Sequence, residues 1–286
     1  MDKIKKLKSE YEKITISPDF KERTINMIKN KNKKSYMTKI FASTAAAVVI
    51  ASVAAFNISP SLAYAAKDIP VLNKIVKVVT LGRYESSENG YSAEITSPKI
   101  EGLLDKELED KLNKEFKDNA DALILAYEND VKQLKKEFGD ETVHMGVQSD
   151  YIVKTDNDDY LSLDVYILYT AGSSSTKHTF YTIDKKTGEL VTLKSLFKDG
   201  SDYITPISSY IISEMKRMNK EEGGYFWVEK DETPFDVFEK IKPDQNFYIN
   251  PNGELVICFD KYDVAAGAQG SPEFVIPKNV IKDILR

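Results

Sequence analysis

"GLLDKELEDKLNKEFKDNADALILAYENDVKQLKKEFG", residues 102–139, gives way to "HMGVQSDYIVKTD" (144–156) and "YLSLDVYILYTAG" (160–172), and the change of period between them sets the fold. In the first stretch Leu104, Leu108, Leu112 and Phe116, then Leu123 with Tyr127, recur at helical spacing. Glu–Lys pairs three and four apart mark its solvent face, and Gly139 is placed to end it. In the last stretch Leu161, Leu163, Val165, Ile167 and Tyr169 alternate with polar neighbours, the pattern of a strand with one face on a core. "KHTFYTID" (177–184) reads as its successor. "DKKTGEL" is a hairpin turn with Gly188 at the position needing positive φ, and "FYINPNGELVICF" is a second hairpin centred on Asn252-Gly253. "DYITPISSYIISEMKRMNKE" (202–221) predicts an amphipathic helix, and "VIPKNVIKDILR" predicts a third at the C-terminus. Helices and mostly antiparallel strands in blocks make residues 81–286 an α+β domain: an antiparallel sheet with one long helix.

Upstream the chain changes character. Residues 68–80, "DIPVLNKIVKVVT", read as an apolar connector. Residues 40–66 hold no charged side chain, and "IFASTAAAVVIASVAAFNI" (40–58) would make about 28 Å of helix, enough for a single transmembrane helix. Lys29, Lys31, Lys33, Lys34 and Lys39 precede it with no acid among them, which places the N-terminus in the cytoplasm and the C-terminal body outside. The span is only weakly hydrophobic, closer to a signal-peptide core than to a permanent anchor. Pro60 then ends the helix, and Ala63-Tyr64-Ala65 supplies the small-x-small pattern of a signal-peptidase site, with cleavage expected between Ala65 and Ala66. Residues 59–80 are therefore a juxtamembrane stalk. The charge divides the same way. Residues 1–39 carry twelve Lys/Arg against five Asp/Glu, whereas 67–286 carry 28 against 40, a balance of −12. A basic end and an acidic body on opposite sides of an apolar bridge imply different partners for each.

In the first 39 residues Ser17 is placed to cap a helix opened by Pro18, with Phe20, Ile25, Met27 and Ile28 near one face. Ile4, Leu7, Tyr11 and Ile14 form an earlier stripe. Neither stripe has a core of its own to enter. A basic segment lying on anionic lipid and a peptide folding on a protein partner fit equally well.

Catalysis calls for a constellation, and the sequence offers none. His144 and His178 lack metal-ligand spacing, and no Walker loop, dinucleotide fingerprint or nucleophile elbow occurs. "DNDD" (156–159) and "DKYD" (260–263) read as solvated acidic loops. Cys258, the single cysteine, excludes an intrachain disulfide and reads as a buried strand residue. No cofactor, metal or nucleic acid is expected, and the body reads as a binding module rather than an enzyme.

The order of basic peptide, single span, A-x-A site and α+β outer domain resembles the lysozyme-responsive, RsiV-like anti-sigma factors of Gram-positive bacteria. The most specific parts are "YTAGSSSTKHTFYTIDKKTGELVTLKSLFKD" (169–199) and "NFYINPNGELVICFDKYDVAAGAQGSPEFVIP" (246–277), which look like that family's outer domain. Gly172-Ser173-Ser174-Ser175 stands where the family usually carries a Gly-Gly-Ala-His-like tract. "SPDFKERTINMI" looks like its segment for an extracytoplasmic-function sigma factor. The resemblance implies that Pro18, Phe20, Ile25 and Ile28 contact the sigma factor and that the outer domain binds lysozyme. It also implies that Ala63, Ala65 and Ala66 then become a signal-peptidase site, after which an intramembrane metalloprotease finishes release. An acidic body suits a strongly basic ligand. The lysozyme contacts are expected in exposed loops at 172–177 and 261–271, through Ser174, Ser175, Asp260, Tyr262 and Asp263. Similar outer domains occur beside peptidoglycan deacetylases. Two further readings therefore stay open: an exported wall-binding or deacetylase-associated module on an uncleaved anchor, and an anti-sigma factor answering another ligand.

Overall fold

The computed structural model describes residues 76–139, 143–230 and 235–286. The segment expected in the cytoplasm, the expected 40–58 span and the expected cleavage site at 63–66 lie outside the described residues, as do Pro18, Phe20, Ile25 and Ile28. Among the described residues no helix is long and apolar enough to cross a membrane.

The domain opens with strands β1 (Lys77–Glu88) and β2 (Tyr91–Glu101). They are joined by Asn89 and Gly90, both at positive φ (47° and 89°), which is the backbone of a two-residue type I′ hairpin. β1 therefore begins inside the stretch that reads as a connector, where "KVV" followed by Thr80 gave no alternation to mark it. Helix α1 (Lys106–Phe138) follows. Asp105 caps it by accepting from the Glu107 and Leu108 amides at 2.9 and 3.0 Å, and Gly139 closes it at φ 58°. Leu112, Phe116, Leu123, Tyr127 and Leu134 are its buried face. Leu104, expected on that stripe, precedes the helix and is exposed.

At 33 residues α1 is about 50 Å long and returns the chain to the end of the sheet from which β2 set out. β3 (Met145–Asp156) therefore pairs parallel with β2, Tyr91 opposite Met145 through Ile95 opposite Ser149. The sheet is mixed rather than antiparallel, and this one parallel pair corrects the expectation. β4 (Tyr160–Ala171), β5 (Ser173–Asp184) and β6 (Leu190–Val191) continue it by hairpins in the order β1-β2-β3-β4-β5-β6. Gly188 takes φ 75° in the β5–β6 turn, as expected.

Helix α2 (Ile204–Glu221) and a second sheet, β7 (Phe247–Ile249), β8 (Leu255–Cys258) and β9 (Glu273–Val275), build the C-terminal part. The β7–β8 turn does contain Gly253 at φ 73°, but Asn252 keeps negative φ, so its Gly253 N–H···O Asn250 bond closes a longer loop than a two-residue turn. The expected third helix is a single turn, α3 (Lys278–Ile281).

Two apolar cores result. Ile100, Leu112, Phe116, Leu161, Leu163, Tyr181 and Ile183 fill the space between α1 and one face of the large sheet. Ile207, Ile211 and Met215 of α2 pack with Ile257, Phe259, Phe274 and Ile276 in the other. β4 has elements on both sides of it. Leu161 and Leu163 face α1, while Ser162 and Asp164, the polar neighbours in the alternating pattern, are also buried. They meet the second sheet: the Ser162 and Thr155 hydroxyls donate to the Ile249 carbonyl at 3.1 and 2.6 Å.

Candidate functional site

The place where β5 meets the turn after β8 brings together most of the residues singled out for ligand contact. His178 sits on β5, diagonally across the β4–β5 hairpin from Asp164. Its ring Nδ1 lies 3.0 and 3.1 Å from the two Asp164 oxygens, and its Nε2 lies 3.1 Å from the Ser271 hydroxyl, just before β9. β6 pairs only with Thr182 and Ile183, so the outer edge of β5 at His178 needs other partners. The His178 amide donates to Asp260 Oδ1 at 2.8 Å, and its carbonyl accepts from Asn246 Nδ2 at 2.8 Å. Lys177 Nζ reaches Asp260 Oδ2 at 3.0 Å. One strand residue is thus held by backbone and ring to three segments of the second sheet.

Asp260 is only 8% exposed, so it is an internal fastening and not the exposed contact expected of it. Its own amide donates to Asp263 Oδ2 at 3.1 Å, and burial followed by the Asp260 charge raises the Asp263 carboxyl above its usual range. Ser174 and Ser175 are not in a loop either. They belong to β5, opposite Thr170 and Tyr169, and Gly172 at φ 75° makes the turn beside them. Yet the two stretches do meet, because Lys261 Nζ lies 2.9 Å from Ser174 Oγ. Tyr262 has φ 73°, a left-handed conformation that turns its side chain out of the strand direction. It is 45% exposed, with Lys261 Nζ 5.1 Å from its ring centre. A Cβ built on Gly267 would fall 2.5 Å from the Tyr262 ring, so the absence of a side chain at 267 is what seats the ring.

The ring of His178 is pulled two ways. Burial lowers its pKa and is the largest influence, but the Asp164 hydrogen bond and charge, with Asp260 behind them, outweigh it and leave the group above its ordinary value. A raised folded-state pKa means that the pair stabilises the fold fully below the unfolded value, near pH 6.5, and loses that contribution as pH rises through the folded one. Replacing His178 with Gln is therefore expected to destabilise more at pH 6 than at pH 9. Urea unfolding at the two pH values checks this, and an equal cost at both would exclude the charged pair.

Carboxylate, imidazole and hydroxyl in this sequence of contacts share the connectivity of a hydrolytic relay. The signal was partly available in the sequence: a hairpin about Gly172 sets Asp164 and His178 diagonally on one face. Ser271, 93 residues further on, carried none. A hydrolase also requires donors for an oxyanion beside the hydroxyl. A trough of about 520 Å³ lies elsewhere, on the sheet face lined by Glu85, Ser92, Glu94, Gly146, Gln148 and Thr170. Among the described residues no three His, Cys, Asp or Glu side chains are grouped to hold a metal. In "DNDD" Asp156 and Asp159 pair with Lys185 and Lys186, and Asn157 Oδ1 accepts the Asp159 and Tyr160 amides. Cys258 is buried on β8, and burial drives its thiol well above the usual range.

Compared with known proteins, the chain is 36% identical over 288 residues to the anti-sigma-V factor RsiV of Bacillus subtilis (strain 168), covering 100% of this chain and 98% of that one. The chain belongs to the RsiV family of anti-sigma factors. Within this RsiV-family chain, residues 194–279 match a family model described as a protein of unknown function, DUF3298, and 84–172 match one described as deacetylase PdaC. The first spans α2, the second sheet and the Tyr262 turn, and the second spans most of β1 through β4 with α1. A crystal structure of a DUF3298 family member from Bacteroides fragilis shares the fold, with a TM-score of 0.55 at 15% identity over 74% of this chain and 94% of that one. A second, from Pseudomonas aeruginosa PAO1, gives a TM-score of 0.46 at 13% identity, over 74% of this chain and 94% of its own.

Proposed function

We propose that this anti-sigma factor is a single-pass membrane protein that holds an extracytoplasmic-function sigma factor through residues 1–39 and binds lysozyme through its outer domain. Lysozyme binding opens the stalk to signal peptidase at Ala63-Tyr64-Ala65, and an intramembrane metalloprotease completes the release. The protein does this without catalysis of its own, and the Asp164–His178–Ser271 contacts serve to hold the ligand-reading turn.

The observation that carries this reading is the meeting of two separate stretches at one surface, Ser174 on β5 and Lys261-Tyr262 after β8. Tyr262 is an exposed aromatic on a backbone fixed from below by Asp260, and such anchors dominate protein interfaces. The balance of −12 over residues 67–286 suits a basic protein and predicts salt-sensitive capture. The deciding experiment is titration of the full chain in nanodiscs with lysozyme. Binding at micromolar or tighter concentration that weakens with salt is required. Its absence would leave an anti-sigma factor answering some other ligand.

Gly267→Ala sharpens the test. The added methyl displaces the Tyr262 ring, the movable end of a side chain, so the fold should melt within about a degree of the wild type while lysozyme affinity falls about tenfold. Tyr262→Ala should cost more, on the order of thirtyfold. Equal affinities in all three proteins would remove Tyr262 from the contact.

The match of residues 84–172 to the PdaC model supports a second reading, a wall-binding or deacetylase-associated module on an uncleaved anchor. It predicts that deleting residues 1–36 changes no transcript. The anti-sigma reading predicts constitutive expression of the sigma regulon in the same strain.

A further inference from the structure

The segment Tyr225–Trp227 runs antiparallel to Val264–Ala266, just past the Tyr262 turn. The Trp227 amide donates to the Val264 carbonyl at 2.8 Å, and the Ala266 amide donates to the Tyr225 carbonyl at 3.1 Å. Phe226 points inward and is buried against Phe274, with ring centres 5.8 Å apart. By strand alternation Tyr225 and Trp227 lie on the opposite, outward side. Tyr225 is 64% exposed, and Trp227 stacks on Phe235, itself 56% exposed, at 4.5 Å. Asn219 fixes this segment from behind: its side chain donates to the Phe226 carbonyl and accepts the Phe226 amide, both at 2.8 Å. The aromatic surface is therefore preformed and costs little ordering when something docks on it. Tyr262, seated on Gly267, and Tyr225, bonded to Ala266, stand over adjacent residues of the same strip.

Exposed aromatics held in place on an acidic body have a specific chemistry. Within a body whose balance is −12, the described acids Glu229 and Asp236 flank the Trp227–Phe235 pair in the chain. Faces of Tyr, Trp and Phe attract guanidinium groups, and surrounding carboxylates raise the local concentration of cations. We propose that Tyr225, Trp227 and Phe235 form a second contact for the same basic protein that Tyr262 meets, receiving its arginine side chains. The ligand would then be read at two places along one strip, a hydroxyl-and-tyrosine end and an aromatic–acidic end. This rests on lysozyme being the ligand of the Tyr262 surface.

Trp227 is the chain's single tryptophan, so biosynthetic 5-fluorotryptophan places one fluorine label in the whole protein. The labelled full chain in nanodiscs is titrated with unlabelled lysozyme, and affinities are measured for wild type, Tyr225→Ala and Phe235→Leu. The fluorine resonance is expected to move saturably. Tyr225→Ala is expected to weaken binding about tenfold, and Phe235→Leu, which keeps bulk but removes the ring, about threefold, with melting temperatures unchanged. If lysozyme binds, but the resonance stays in place or both variants bind as wild type does, this contact is overturned while the Tyr262 surface stands. If wild type itself fails to bind, both fall together.

Discussion

With Trp in place of Ala63 or Ala65, cells challenged with lysozyme are expected to keep the full-length chain intact and the sigma regulon silent. Signal peptidase takes an extended segment with small side chains at these two positions, and an indole fills the space that a methyl leaves. The effect should be all or nothing, because every later step requires the first cut. Wild-type cells should instead show an N-terminal fragment of about 65 residues on a blot, since the motif ends at Ala65. Val76 is buried against the α1 core and β1 starts at Lys77. Val76 follows Ala65 by eleven positions, a separation of at most about 40 Å. The bond to be cut therefore lies within about 40 Å of the folded body, close enough for ligand capture to govern access to it. Lysozyme affinity should be unaltered in both variants. Unchanged induction in either would remove the cleavage step from the proposed sequence of events.

What could be read from the sequence followed from local pattern. The α1 stripe from Leu108 onward, the β4 alternation and the α2 helix are each fixed by contacts within a few turns or strands, and they appear where the spacing put them. What local pattern does not report is pairing over distance. Asn89-Gly90 is the same dipeptide as Asn252-Gly253 and makes the tighter hairpin, but the strand before it carries no alternation to mark it. β2 and β3 are parallel because a long helix intervenes, which no single strand's composition reports. Asp164 is the sharpest case. A polar residue between Leu163 and Val165 reads as solvent-facing, and it is buried only because the second sheet, built from residues some 80 positions later, closes over that face. Asp260 is buried for a related reason, its carboxylate being taken up by the β5 edge at Lys177 and His178. The 172–177 and 261–271 stretches were each expected to be exposed ligand-contact loops, and that they touch, through Lys261 and Ser174, is a finding of the structure.

Asp164→Ala is expected to destabilise the folded chain by about 3–5 kcal/mol, the cost of removing one partner from a buried charged pair. Both Asp164 oxygens lie within 3.1 Å of His178 Nδ1, so the variant leaves a buried imidazole N–H with nothing to receive it, beside a small cavity. Asp164→Asn should cost less, about 1–2 kcal/mol, because the amide oxygen still accepts that hydrogen bond. Its second signature is in the pH dependence: without the carboxylate charge, burial becomes the prevailing influence on the His178 ring and opposes its protonation, so the stability His178 contributes at pH 6 relative to pH 9 should be lost or reversed. Urea unfolding followed through Trp227 fluorescence reads both quantities from the second sheet's side of the junction. The functional consequence follows from the same contacts. His178 ties β5 to Ser271 and Asp260, and these frame the turn bearing Tyr262, so Asp164→Asn should weaken lysozyme capture more at pH 6 than at pH 9, although residue 164 is itself buried. Full affinity at both pH values in a stable Asp164→Asn protein would show that the junction supports the fold and has no part in positioning the turn.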